Sequence, residues 1–260
     1  MYIRRGIARM GASPTNDANA FVIFAGRQPI REIRNYMFAD KIKDELRKYS
    51  NPKKKAILSR FFKTGKGEYA EGDKMLCVTV PEQRNVAKKY YKELSLQDVG
   101  ELLKSQYHED RLTGLIILTY KFKQADEKER KKIVDFYLKH LDRVNNWDLV
   151  DLSCYKILGT YLFTRPRDIL YKLARKNHLW SQRVAMVSTY AFIRQNQFAD
   201  TIKLAKILLN HKHDLIHKAV GWMLREVGKR DEKVLRSFLD KYVSKMPRVM
   251  YRYAVERLKK

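Results

Sequence analysis

Cysteine is nearly absent: Cys77 and Cys154 are the only two in 260 residues. They lie far apart, each in an apolar run, and read as reduced core thiols of a cytosolic protein. Two thiols are too few for a four-cysteine zinc or iron–sulfur site. Glycine and proline are also scarce, at 11 and 6, and fall mostly between apolar-periodic stretches. That leaves little turn chemistry for a β architecture. No apolar run approaches the length of a membrane span. Acids are in short supply, with 29 Asp and Glu against 55 Lys and Arg, a net charge of +26. Such an excess repels itself in a compact fold and makes physical sense against a polyanion, nucleic acid first and an anionic membrane surface second. The basic residues are spread along the chain, so the folded body itself carries the field.

Residues 1–36 differ from the rest. They hold six arginines, no lysine, and only Asp17 and Glu32 as acids. A transit peptide has this composition; so does a disordered arm or translated upstream sequence, with Met37 the natural start. The expectation is a basic leader over 1–36, outside the native fold, and one domain over 37–260.

From Met37 the pattern is helical. One helix is expected over 38–49. Asn51-Pro52 reads as an N-cap and first-turn proline opening a second helix through Phe62. Residues 63–73 carry three glycines but neither the spacing nor the terminal Lys-Ser/Thr of a phosphate loop, and read as a connection. Pro81 starts a further helix and Ser95 caps the next, with others expected over 127–140, 166–176, 198–210 and 231–245. Aligned on Arg111, Trp147, Arg183, Lys218 and Arg252, the chain repeats at intervals of 36, 36, 35 and 34 residues. Two helices per unit at that period are those of an all-α superhelical solenoid of helical-repeat pairs, here with a basic concave face.

Trp147 and Asp151 stand four residues apart and so share a helix face. They border a core stripe of Val150, Cys154, Ile157 and Tyr161. With Asn145 as N-cap, Asp148 falls at the third position and is explained as a capping and dipole residue. Asp151 has no such local role. On this stretch alone, a partly buried tryptophan beside an incidental surface acid is the better account. The repeat register adds weight to a site: stacked units superpose equivalent positions, so Trp147, Asp151, Arg183, Lys218, Trp222 and Arg252 line one surface, with Arg225 in the same row. Asp151 is the one carboxylate expected there.

At these residues the sequence resembles the AlkD-like DNA alkylation repair family, DNA glycosylases built from HEAT-like repeats. The stretches that carry the likeness are Asn146-Trp-Asp-Leu-Val-Asp151, Leu179-Trp-Ser-Gln-Arg-Val-Ala185 and Ile216-His-Lys-Ala-Val-Gly-Trp-Met-Leu-Arg-Glu226, with Met75-Leu-Cys-Val-Thr-Val-Pro-Glu-Gln-Arg84 nearer the amino end. The resemblance covers 37–260. It implies Asp151 as the active-site acid, Trp147 and Trp222 as flanking indoles and Arg183 as the accompanying arginine. Arg183, Lys218, Arg225, Arg252 and Arg111 are the expected DNA contacts.

The implied reaction is hydrolysis of the N-glycosidic bond of N3- or N7-alkylated purines in duplex DNA. The cationic base is already a good leaving group, so the demand falls on the sugar, which a fixed carboxylate stabilises as it develops oxocarbenium character. No base-flipping pocket, cofactor or metal is called for. The expected setting is a cytoplasmic monomer, associated with the nucleoid when bound to DNA, with no obligatory protein partner. A non-catalytic nucleic-acid binder on the same scaffold shares the charge and the repeats but leaves the Trp147/Asp151/Trp222 cluster unexplained. A protein-interaction scaffold accounts for neither the cluster nor the cationic excess.

Overall fold

The computed structural model describes residues 29–258, with side chains from residue 38 onward. Helix α1 (Pro29–Lys48) begins inside the stretch expected to be leader and runs unbroken across residue 37. The expectation for the preceding residues lies outside the described ones. Ala39, Ile42 and Leu46 form the buried stripe of α1. It packs on α3 (Val80–Tyr90) and α4 (Leu96–Leu103). Both of these start on capping boxes, Thr79 with Glu82 and Ser95 with Asp98, each satisfying two otherwise orphaned amides. Between α1 and α3 lie a turn of 3₁₀ helix (Pro52–Lys54) and α2 (Lys55–Phe62). The Asn51 side chain makes no capping bond there.

The repeats follow. Helices α5 (His108–Gln124), α7 (Trp147–Cys154), α9 (Leu179–Ser188), α12 (Asp214–Gly228) and α14 (Arg248–Val255) form one row, each packed on the next. The second row is α6 (Glu127–Lys139), α8 (Asp168–Ala174), α11 (Ala199–Ile207) and α13 (Glu232–Tyr242). A short α10 (Tyr190–Ile193) continues α9. The described residues contain no strand, only an isolated bridge between Lys74 and Tyr107. The all-α solenoid expected from the period is therefore the fold. At Gly221 a Cβ would collide with the Met250 carbonyl and the Tyr253 side chain, so glycine is what lets α12 and α14 close.

Two irregular segments matter for the site. Directly after α7, residues Tyr155–Gly159 form a π turn. The extra residue shifts the register, and Ile157, Leu158 and Leu162 are buried while Tyr161, expected in the core stripe, is only half-buried with Arg165 over its ring. The other segment, 63–79, connects α2 to α3. Its last part, Met75 to Val78, is buried. The buried carboxylate of Glu109 accepts from the Leu76 and Cys77 amides at 2.8 and 2.7 Å. Cys77 adopts φ 65° at this clamp.

Candidate active site

Helix α7 is capped by Asn146, whose side chain accepts from the Trp147 amide at 2.8 Å; Asn145 does not take that part. The helix so started places Trp147, Asp148 and Asp151 on the row's face. Asp151 is held by Arg183 of α9 in a two-point fork, Nε to Oδ1 at 2.9 Å and the terminal nitrogen to Oδ2 at 2.7 Å. This is the bidentate arrangement a planar guanidinium favours. The third side of Arg183 donates to the Leu215 carbonyl at the start of α12. With its donors so committed and only 5% of its surface exposed, Arg183 is a partner of Asp151 in this conformation, where a phosphate contact was expected. Asp151 keeps 18% of its side chain open to solvent. Burial pushes its carboxyl above the usual range; Arg183 opposes that shift, and the nearby negative charge of Asp148 adds to it.

Asp148 does more than cap. Its Oδ1 accepts from the Leu149 amide, and its Oδ2 lies 2.7 Å from Nε2 of His108. The other ring nitrogen of His108 stands 3.5 Å from Asp73. Burial of His108 favours the neutral ring, but the charge and hydrogen bond of Asp148, together with Asp73, outweigh it and raise its pKa to about 9. Arg111 completes this buried network by pairing with Asp73 and donating to the Ser105 carbonyl. Arg111 is 1% exposed, so the DNA contact expected of it does not hold: the period places it correctly in its helix, but the 63–79 segment delivers an acid to it.

Trp147 is half-buried under aromatic rings. Phe62 of α2 stacks on it, centroids 5.5 Å apart and planes 13° from parallel, and Phe61 meets it edge-on at 5.7 Å. Helix α2 buries no side chain fully, and it exposes Ile57 at 70% and Phe61 at 59%. Tyr69, from the stretch expected to be a mere connection, reaches the same place. Its ring lies edge-on to Trp180 at 5.7 Å and 6.3 Å from His213. Burial pushes the Tyr69 phenol up, against the pull of a donor contact from Trp147. Trp222 is one step removed, packing on Tyr190 at 6.0 Å, which in turn meets Tyr155 at 5.2 Å, one turn beyond Asp151.

The remaining cations divide. Lys218 pairs with Asp214 at 2.7 Å and Arg225 pairs with Glu256, whereas Arg252 is exposed with no ion pair among the described residues. Asp148 and Asp214 therefore join Asp151 at this end of the row, which the register alone does not reveal. Phe61, Phe62, Tyr69, Asp73, His108 and Trp180 were likewise not among the expected site residues. The one signal available was the apolar pair closing α2 beside a tyrosine set among glycines. No group of three or more His, Cys, Asp or Glu side chains is placed to hold a metal ion among the described residues. No described helix is long and apolar enough to cross a membrane.

The fold and site define an all-α repeat protein with an arginine-clamped acid among aromatic rings on one helix row. Residues 42–258 match the family described as DNA alkylation repair enzyme, and the chain belongs to that family. Among solved structures it is similar to a predicted DNA alkylation repair enzyme from Enterococcus faecalis, with a TM-score of 0.65 and 17% identity over 81% of this chain and 97% of that one. It is also similar to AlkD2 from Streptococcus mutans, with a TM-score of 0.52 and 15% identity over 80% and 99% of the two chains. At these identities the likeness is one of fold. Comparison with curated proteins gives no match.

Proposed function

We propose that this chain is a monofunctional DNA glycosylase that hydrolyses the N-glycosidic bond of N3- and N7-alkylated, cationic purines in duplex DNA. The observation that carries this reading is the state of Asp151: a carboxylate clamped from one side by Arg183, still open to solvent on the other, and short of positive charge. As the bond between C1′ and the purine nitrogen breaks, its electron pair leaves with the base, which becomes neutral, and positive charge moves to the sugar. Asp151 stabilises that charge in a partly dry setting, where a fixed ion is worth most. It also takes the proton of the water that adds at C1′. Arg183 holds the acid still. Trp147 and Trp222 offer faces to a cationic nucleotide, and Lys218, Arg225 and Arg252 face the phosphates. The protein works as a monomer on cytoplasmic, nucleoid DNA, with no obligatory partner, no cofactor and no pocket into which the damaged base is flipped.

The test is chromatography of bases released from methylated duplex DNA. Release of 7-methylguanine or 3-methyladenine at single-turnover rates above the spontaneous background is expected. Tight, salt-sensitive DNA binding with no base release would favour the non-catalytic binder.

A further inference from the structure

Away from Asp151, the far ends of α5 and α10 and the segment after α7 enclose a cleft of about 600 Å³. That volume falls within the range of small-molecule sites. Its lining is divided chemically. Tyr120, Tyr155 and Phe163 supply aromatic surface, while Lys123, Arg130, Lys156 and Arg194 supply charge, and no acid lines it.

The cations have no acidic partner among the described residues, although Lys156 lies over the Tyr155 ring at 5.6 Å. Among the described residues Lys123, Lys156 and Arg194 make no ion pair, and Arg130 is engaged only with the Phe122 carbonyl and ring. Lys156 is half-buried. Burial lowers its pKa, and the charge of Arg84 lowers it further. Gathering several cations around a concave surface with no counter-charge is unfavourable unless an anion completes it. Tyr155 and Lys156, on this wall, open the π turn Tyr155–Gly159, and Thr160 and Phe163 of the lining follow it. Such turns recur at functional sites, because the inserted residue re-aims the side chains that follow. Gly159 makes the turn fit: a Cβ there would strike the Ser188 carbonyl.

We propose that the cleft binds one nucleotide unit, its base against Tyr155, Tyr120 and Phe163 and its phosphate among Lys123, Lys156 and Arg194. Stacking on aromatic faces with cations on the backbone is the general chemistry of unpaired nucleotide capture. Two sources share that chemistry. One is a nucleotide turned out of the bound duplex, and this source rests on the DNA reading above. Tyr155 is one turn, about 6 Å, past Asp151, and its ring packs in series with Tyr190 and Trp222. The other source is a free nucleoside monophosphate.

The experiment uses the full chain and two probes, neither of which needs base release. Calorimetric titration with dAMP, deoxyadenosine and inorganic phosphate tests the free ligand. A duplex carrying an uncleavable abasic analogue, with 2-aminopurine stepped through both strands, tests the extruded nucleotide by its brightening on unstacking. Each is repeated on Lys156→Ala/Arg194→Ala with its helical circular dichroism checked, and on the surface variant Arg194→Glu, which retains the interior. Binding of dAMP at least tenfold tighter than of either fragment, weakened at least tenfold in the variants, supports the free source. Brightening at one position outside the abasic nucleotide, lost in the variants, supports the strand source. Neither response in the unmodified protein, or a response that survives both variants, overturns the proposal. A protein that gives either signal and releases no methylated base sinks only the glycosylase reading, and one that releases base with neither signal sinks only the cleft.

Discussion

Arg111 and Arg183 stand two repeats apart in equivalent helices, and each is a buried arginine set against one aspartate, yet the two aspartates differ in charge balance. Burial alone would raise both carboxyls. For Asp73 the contacts with His108 and Arg111 outweigh burial and hold it below the ordinary range. For Asp151 burial prevails, because Arg183 is its one cation and Asp148 is a negative neighbour. Both acids are aspartates with a buried arginine as partner. The number of cations facing each one separates a structural ion pair from an acid left short of positive charge. That deficit is what a cationic substrate or an oxocarbenium sugar would fill.

The comparison breaks most visibly at Asp73. Asp73→Ala strands the buried charges of Arg111 and His108, and removing one partner of a buried pair costs about 3–5 kcal/mol. Denaturant unfolding reads this directly. A loss below about 1 kcal/mol would mean that Asp73 is not a structural ion pair.

Asp151→Asn keeps shape and removes the charge. An electrostatic stabiliser of this kind is worth about 3–4 kcal/mol, so single-turnover base release is expected to slow by about a hundred- to a thousandfold with the helical signal retained. Because its carboxyl is raised, the unmodified protein is expected to lose activity on acidification at a higher pH than an ordinary surface aspartate would dictate. Unchanged release by Asp151→Asn would end the parallel between charge deficit and chemistry.

Asp148→Asn is the smallest and most discriminating change. As a capping residue it would be nearly silent, but here it removes the main counter-charge of His108. The folded pKa of His108, about 9, lies above its ordinary 6.5, so its stabilisation is full below about pH 6.5 and is lost as pH rises through about 9. The variant is expected to lose about 1–3 kcal/mol at pH 6 and to show a flatter fall in unfolding free energy between pH 6 and pH 10. With one negative neighbour gone, Asp151 titrates lower, and the acid limb of base release moves to lower pH. An unmoved limb would mean the two acids do not sense each other.

Much of this was legible in order of residues alone. The period of the helices, the shared face of Trp147 and Asp151, and the placing of Arg183 and Lys218 all follow from spacing, since equivalent positions stack. What spacing could not show was which side chain arrives from elsewhere. Asp73 meets Arg111 from 38 residues away, out of a segment with no repeat position, and Asp148 meets His108 from 40, between adjacent repeats but out of register with their period. Tyr69 hid in a glycine-bearing stretch without periodicity. The π turn escaped because its single extra residue leaves the apolar count unchanged while rotating everything after Cys154.

The Glu109 clamp carries a consequence for exchange with solvent. Its two oxygens take the amide protons of Leu76 and Cys77, so those protons are released only when α5 itself gives way. Amides of Gly65 and Gly67, bonded only to the exposed carboxylates of Glu68 and Glu71, open locally. A sharp divide between fast and slow deuterium uptake therefore falls between Gly67 and Leu76, the interval that carries Tyr69.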